Sequence, residues 1–169
     1  MMRLRALALA LLAVLTLGAC TITYVVPDDG VVVRPVPASS VIERFDVFGG
    51  AEVFREGDDI EFVIRTSASG YVMLTSLLPS GEVRVVARNL PVEGGVTTVL
   101  DGSSLGSRFV VGAPSGWHRV RAAFTTGRSD GASAVFEGRF GEDDWAAAIR
   151  IVVDPFAISD IAETSFFVR

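Results

Sequence analysis

Apolar and polar side chains alternate in short stretches over most of the chain from Val41 onward. The alternation is clearest in Ile60–Ile64 and in His118–Thr126, where a period of two gives each stretch one dry face. Tyr71–Leu78 is apolar on both faces and predicts a central strand. The residues that we expect to form the core are Ile60, Phe62, Ile64, Val72, Leu74, Val120 and Phe124, and we expect Arg119 and Arg121 to point outward.

Turn signals rich in Gly, Pro, Asp and Ser separate these stretches at intervals of about 8–12 residues. They predict an all-β domain, an antiparallel β-sandwich of about seven strands, with a small open barrel as the alternative. Within it we expect Asp59–Ala87 to form a meander closed by the hairpin turn Pro79–Gly81. The other strands are predicted within Phe45–Phe54, Val96–Leu100, Arg108–Gly112, His118–Thr126 and Glu163–Arg169, and a loop at Asn89–Gly95.

One segment favours a helix over a strand. Asp143 and Asp144 precede an alanine-rich run, and Asp is a favourable helix N-cap, so a short helix is predicted near Asp144–Arg150. The preceding Gly127–Gly141 is rich in Gly and Ser and predicts a long exposed loop.

The N-terminus has the pattern of an export signal. Two arginines precede Ala6–Leu17, an apolar run of about 12 residues that is too short to cross a ~30 Å hydrocarbon core. The run ends in Leu17, Gly18, Ala19 and Cys20, which resemble the lipobox of bacterial lipoproteins. A conventional signal peptide with a coincidental cysteine and an uncut anchor are the alternatives.

The lipobox resemblance implies a domain organisation and a location. Residues 1–19 would be the lipoprotein signal peptide, and residues 20–40 the lipidated Cys20 with an extended, proline-containing tether. The remaining 41–169 would form the β-sandwich domain. Two acyl chains such as palmitate would hold Cys20 firmly in a membrane. Thr21, in place of the Asp that retains lipoproteins at the inner membrane, favours the outer membrane facing the periplasm.

Composition narrows the partner classes. From Cys20 onward, 13 arginines face 20 acids and no lysine is present, so the formal charge is −7. This acidity argues against nucleic acid and against adhesion to anionic lipid. Cys20 is the only cysteine, so its lipidation would leave neither a disulfide nor a free thiol.

Several motifs resemble the bacterial family named domain of unknown function 4384. Val53–Phe62 is similar to the family's strand start, and Ser69–Leu74 is similar to its Gly-Tyr strand. Pro79–Val83 is similar to its hairpin turn, and Pro114–Ala122 to its Pro-x-Gly strand. Val86–Asn89 departs from the family's pattern after the hairpin. The resemblance implies an extracytoplasmic β-rich envelope module with no established activity.

The candidate chemistry is sparse. His118, the only histidine, would have to pair with Asp101, Asp154 or Asp160 in a hydrolase, and no Gly-x-Ser-x-Gly motif accompanies it. A solvated or edge histidine is the alternative that we favour. We expect no catalytic residue, no cofactor and no metal. The carboxylate groups 58–59 and 142–144 lack the spacing of a Ca²⁺ loop, and a charged turn and an N-cap explain them.

The predicted loop offers a candidate interaction site: Arg128, Phe136, Arg139 and Phe140. Trp117 and Trp145 lie near it in sequence, although both could instead cap the core. The sequence therefore predicts a lipid-anchored cell-envelope module with a structural or protein-binding role. The alternatives are an envelope hydrolase using His118 and a small-ligand carrier.

Overall fold

The computed structural model describes residues 40–48, 52–103, 106 and 108–169. They form a mainly β structure with eight strands and two helices. The strands are β1 (Ile42–Val47), β2 (Val53–Phe54), β3 (Phe62–Thr66), β4 (Gly70–Leu77), β5 (Val83–Val92), β6 (Thr97–Leu100), β7 (Gly116–Thr125) and β8 (Ser159–Val168). The helices, α1 (Ala132–Phe136) and α2 (Gly141–Val153), lie between β7 and β8 in the chain.

The strands are arranged in two sheets. The smaller sheet has the order β1-β3-β6, and the larger has the order β2-β8-β7-β4-β5. Neighbouring strands are antiparallel apart from the short β2, which runs parallel to β8. The larger sheet has its longest ladder between β7 and β8, where ten residues pair in continuous register.

One cluster of buried apolar side chains draws on both sheets. Phe62 and Ile64 of β3 enter it from the smaller sheet, and Val72, Leu74 and Phe124 enter it from the larger. All seven residues predicted for the core are buried, which confirms the faces assigned from the alternation. Phe62 stacks on Phe45, with ring centroids 5.7 Å apart.

A second cluster lies on the opposite face of the larger sheet. Met73 and Ala123, which alternate with the core residues of β4 and β7, pack there against α2. The helix buries Trp145, Ala148, Ile149 and Val152, whose spacing of three and four residues puts them on one stripe. The predicted helix near Asp144–Arg150 is therefore confirmed, and it extends from Gly141 to Val153.

The predicted meander is wrong in one respect. The hairpin between β4 and β5 is present, with Gly81 at φ 90°. However, β3 pairs with β1 and β6 of the other sheet rather than with β4. The turn after β3 therefore connects the two sheets. Alternation along a strand indicates which face is buried but does not identify the neighbouring strand.

Two further expectations differ from the structure. Arg108–Gly112 is not a strand. Val110 makes an isolated bridge to Asp59, and the backbone on either side of Val110 forms hydrogen bonds with the backbone of the turn before β3. Asn89–Gly95 is not wholly a loop, because β5 continues to Val92. Irregular pairing around Leu74 turns β5 over, so Val85 packs with the helices whereas Ala87, only two residues later, faces the core.

The predicted signal peptide, lipobox and almost all of the tether lie outside the described residues. Among the helices that the structure describes, none has the length and apolarity needed to cross a membrane.

Candidate functional site

His118 lies on the inner face of β7, a strand between β8 and β4, so the expectation of a solvated or edge histidine is wrong. Its side chain is buried, with 4% of the residue exposed. The ring stacks on Phe166 with centroids 5.3 Å apart, and Nε2 is 2.8 Å from the carbonyl oxygen of Pro114. His118 and Val120 are two residues apart on β7, so their side chains lie on the same face of the sheet. The histidine therefore acts as a packed core residue with one polar contact.

The three carboxylates considered as partners of His118 are engaged elsewhere. Asp160 accepts hydrogen bonds from the backbone N–H groups of Ile42 and Ile161, and Asp101 accepts from Ser103. The hydrogen bonds of Ser103 lower the pKa of Asp101. Asp154 is the C-cap of α2. No ion pair to His118 is present within the described part of the chain, so the structure does not assemble the predicted triad.

The two carboxylate groups considered for Ca²⁺ have structural partners. Asp58 accepts from the backbone N–H of Arg55 across a turn, and Asp59 pairs with Arg108 at 2.6 Å. Asp144 accepts from the N–H of Phe140 at 3.3 Å. Phe140 is the N-cap of α2, and Asp143 and Asp144 lie within its first turn, so the N-cap predicted at these aspartates is wrong. In the described ranges, no group of three His, Cys, Asp or Glu residues is arranged to hold a metal ion.

Two arginines of β7 and two glutamates form the densest polar cluster. Arg119 donates to both oxygens of Glu163, at 2.7 and 2.8 Å, and to Glu142 at 2.6 Å. Arg121 donates to Glu163 at 2.7 Å and also to Glu142. The register of β7 and β8 explains the contacts with Glu163, because Arg121 lies directly opposite Glu163 on β8. Glu142 completes the cluster from the first turn of α2. We call these four residues the arginine–glutamate cluster.

Trp145 covers the cluster on its helical side. The guanidinium of Arg121 lies over its ring, and that of Arg119 is 5.5 Å from the ring centroid. The indole Nε1 donates to Thr75 of β4 at 2.9 Å. Trp145 is fully buried, but in the cluster on the helical face of the larger sheet, and Trp117 is exposed, so the expectation that the two tryptophans cap the core of the sandwich is wrong. Trp145 lies between α2 and the sheet rather than between the two sheets.

The electrostatics of the cluster favour the charged forms. Partial burial raises the pKa of Glu142, but the hydrogen bonds and charges of Arg121 and Arg119 together outweigh it, so the pKa lies below its ordinary value. The hydrogen bond with Glu163 likewise raises the pKa of Arg119. Two cations and two anions cancel, and each guanidinium is already bonded to both carboxylates. The arrangement therefore fastens α2 to the sheet.

Sequence reasoning missed this cluster, although part of its signal was present. The alternation in β7 correctly indicated that Arg119 and Arg121 face away from the core. Only the position of α2 shows that this face is covered, because Glu142 precedes Trp145 by three residues and both project toward the sheet. The acidic residues that precede Trp145 are the part of the sequence that could have indicated this cluster.

The segment Gly127–Gly141 is not the exposed loop that was predicted. It contains α1, and Phe136 is buried at 2% exposure among Met73, Val83 and Ile149. Arg139 is half-buried and donates to the carbonyl of Val135 at 3.0 Å. Of the four residues proposed for the interaction site, only Arg128 and Phe140 are exposed. An interaction surface here would be built by a folded segment.

Two open grooves flank this segment. The first, of about 280 Å³, is lined by the apolar Val135, Ile151, Val152, Pro155 and Phe156 and by the charged Arg128 and Asp130. The second, of about 620 Å³, follows the start of β5 beside Phe140. It is more charged, because Glu82, Arg84, Glu137 and Arg139 line it.

Cys20 and the lipobox residues Leu17, Gly18 and Ala19 lie outside the described residues, so the structure bears on neither their exposure nor their neighbours. No protein-family model matches the chain, and neither a curated protein nor a solved structure matches it.

Proposed function

We propose that this chain is a lipid-anchored protein of the bacterial cell envelope, with a structural or protein-binding domain. The anchor rests on Leu17-Gly18-Ala19-Cys20 after a short apolar run behind two arginines. Cleavage before Cys20 and acylation would tie the domain to a membrane. Thr21 supports the outer membrane, facing the periplasm, as its location.

For the domain we propose an antiparallel β-sandwich similar to the family named domain of unknown function 4384. Supporting this, Phe62 and Phe124 come from different sheets and belong to the same buried cluster. Phe109, which follows the smaller sheet, also packs on Phe62 with centroids 6.3 Å apart. The motifs at Pro79–Gly81 and Gly70–Leu74 coincide with a hairpin turn and a central strand.

The observation that carries the binding role is the open groove between α1 and α2. Apolar residues and Arg128 line it together, so a protein segment could bury apolar side chains there and pair with this charge. Ile151, one of the lining residues, is 55% exposed although it is large and aliphatic. Concave apolar surfaces with a polar rim are typical of sites that bind peptide segments.

The two alternatives have less support. A hydrolase would need His118 at the surface, whereas its ring is buried against Phe166. A small-ligand carrier would need an enclosed cavity, and the two grooves described above are open. We therefore keep the binding role as the proposal.

The groove can be tested by adding one charge to it. Ile151→Glu places a carboxylate in the groove, and Val99→Glu, on β6 of the other sheet, is the matched control because Val99 is also an exposed aliphatic residue. Each tagged variant is recovered from detergent-solubilised envelope together with its crosslinked partners. We expect Ile151→Glu to lose a partner that the wild type and Val99→Glu retain.

Deletion of Gly127–Gly141 would be a poor substitute for this experiment. It removes the buried Phe136 and so uncovers Met73 and Val83, which would unfold the helical face whatever the segment binds. If both point variants retained every partner of the wild type, the binding role of the groove would be wrong.

A further inference from the structure

The exposed aromatic residues of the described domain are concentrated at one end. The end at which β8 finishes and β7 begins is called the distal end. The opposite end, where the chain enters the domain at Ser40, is called the proximal end. Ser40 donates to Asp160, the second residue of β8, which fixes the proximal end. Trp117 pairs in register with Phe167 near the other terminus of β8.

Three adjacent strands present apolar side chains side by side at the distal end. Trp117 of β7, 58% exposed, meets Phe167 of β8 edge to face with ring centroids 5.5 Å apart. Val53 of β2 pairs with Phe167 from the other side and is also exposed. The three form a continuous apolar row across the outer face of the sheet.

The neighbouring turns add exposed apolar side chains at the same end. Phe140, 60% exposed, packs over Gly81 in the β4–β5 turn, and Val110 lies in the segment that leads into β7. Phe48 follows the last residue of β1, which starts near Asp160 and runs toward the distal end. Within the part of the chain that the structure describes, the three large aromatic residues that are exposed, Phe48, Trp117 and Phe140, therefore lie at this end.

The shape of the distal end favours a lipid surface over a protein. Its side chains project from separate turns and strand ends, and of them only Phe140 lines one of the two grooves. A protein partner usually receives anchor residues in complementary pockets, whereas the bilayer interface accepts projecting aromatic rings of any arrangement. Trp is particularly favourable there because its apolar ring carries one polar N–H.

The covalent geometry permits this contact. Ser40 lies twenty positions after Cys20, and an extended chain spans at most about 3.3–3.6 Å per residue, or ~70 Å over this distance. The ten residues of β8 span only ~30 Å. A domain held by lipid at Cys20 can therefore bring its distal end to the same membrane.

We propose that the distal end, defined by Trp117, Phe167, Val53, Val110 and Phe140, inserts its apolar side chains into the interface of a phospholipid bilayer. The proposal rests on the lipid anchor for its orientation. The acidic chain would be repelled by anionic lipid, so the contact is apolar and belongs to a zwitterionic surface. It should therefore change little with salt.

The two tryptophans make this measurable. The acylated full chain is placed in vesicles of phosphatidylcholine brominated on its acyl chains, and fluorescence is compared with that of Trp117→Phe. That variant keeps only Trp145, which is fully buried and serves as the internal control. We expect the Trp117 component to shift to the blue, to be quenched by bromine and to lose its quenching by aqueous iodide. The Trp145 component should show none of these changes.

A charge at the distal end should reverse the effect. Val110→Asp is expected to abolish bromine quenching of Trp117, whereas Ile158→Asp, an exposed aliphatic residue at the proximal end, should leave it unchanged. If Trp117 in the acylated protein keeps its iodide quenching, the proposal is overturned while the anchor stands. Protection that appears only on addition of envelope proteins would overturn it in favour of a protein partner. If mass spectrometry finds no acyl chain but Trp117 is still quenched by bromine, the anchor fails and the lipid contact stands.

Discussion

The guanidinium carbon of Arg121 lies 4.0 Å from the ring centroid of Trp145. This contact joins β7 to α2 across the face of the larger sheet on which Met73 and Ala123 also pack. A charged side chain is rarely buried without partners, and Arg121 has Glu142 and Glu163 in the plane of its guanidinium and Trp145 above it. A desolvated cation–π contact of this kind contributes ~2 kcal/mol. We therefore expect the position of α2 to depend on the arginine–glutamate cluster and its contact with Trp145.

The first prediction concerns how the stabilising contribution of the arginine–glutamate cluster depends on pH. The pKa of Glu142 is below its ordinary value of 4.5 in the folded protein, so its stabilising contribution is present above about pH 4.5 and is lost as the pH falls through the folded value. Glu142→Gln should lower the free energy of unfolding by roughly 0.5–1 kcal/mol at pH 7, since Glu142 is half-exposed and screened. In urea titrations this difference from the wild type should shrink toward pH 3.

Asp143→Asn is the matched control for this prediction. Asp143 lies in the same first turn of α2 and meets the same helix dipole, but within the described residues it makes no ion pair. Its effect should be smaller than that of Glu142→Gln. Identical pH profiles for the two variants would mean that the helix dipole, rather than the arginines, stabilises Glu142.

The second prediction concerns the buried cluster to which both sheets contribute. Phe62 is buried and packs on Phe45 and Phe109, so Phe62→Ala should lower the free energy of unfolding by ~3–5 kcal/mol. Phe140→Ala removes the same atoms from an exposed site and should stay within about 0.5 kcal/mol of the wild type. Urea unfolding at neutral pH measures both. Equal losses would contradict the assignment of Phe62 to the core.

The sequence was sufficient to place most strands because burial of one face is a local property. Val120 and Phe124 alternate with Arg119 and Arg121, and this alone identified the face toward the core. Strand partners are a different matter, because β3 pairs with β6 about 35 residues later in the chain. Nothing in Ser67–Gly70 distinguishes a hairpin from a turn that changes sheets.

The site was less predictable for the same reason. Gly127–Gly141 has the composition of a loop, and α1 forms there because Phe136 finds an apolar surface on β4 and β5. His118 follows the exposed Trp117 in a strand, so the alternation was compatible with burial, but a lone histidine gives no indication of whether it has a partner. Its bond to Pro114 depends on a turn whose geometry the sequence does not specify.

The third prediction concerns the anchor. Cys20→Ser removes the only thiol that can be acylated, so the variant should either be released from the membrane or accumulate as an uncleaved precursor. Phase separation in detergent, combined with mass spectrometry, measures this. Ser39→Ala in the same N-terminal region serves as the control and should partition like the wild type. A Cys20→Ser protein of mature size in the detergent phase would contradict the lipoprotein proposal.

The last prediction separates packing from catalysis at His118. His118→Ala removes a ring that stacks on Phe166 and should lower the free energy of unfolding by about 2–4 kcal/mol. His118→Phe keeps an aromatic ring at this position and loses only the bond to Pro114, so it should cost about 1 kcal/mol. Both variants should retain the partners of the wild type at temperatures where they are folded, because the ring does not reach the surface. Thermal unfolding and partner recovery are measured on the same preparations. If His118→Phe were as stable as expected but abolished a hydrolytic turnover that the wild type shows, the histidine would be catalytic and the hydrolase alternative would replace the binding role.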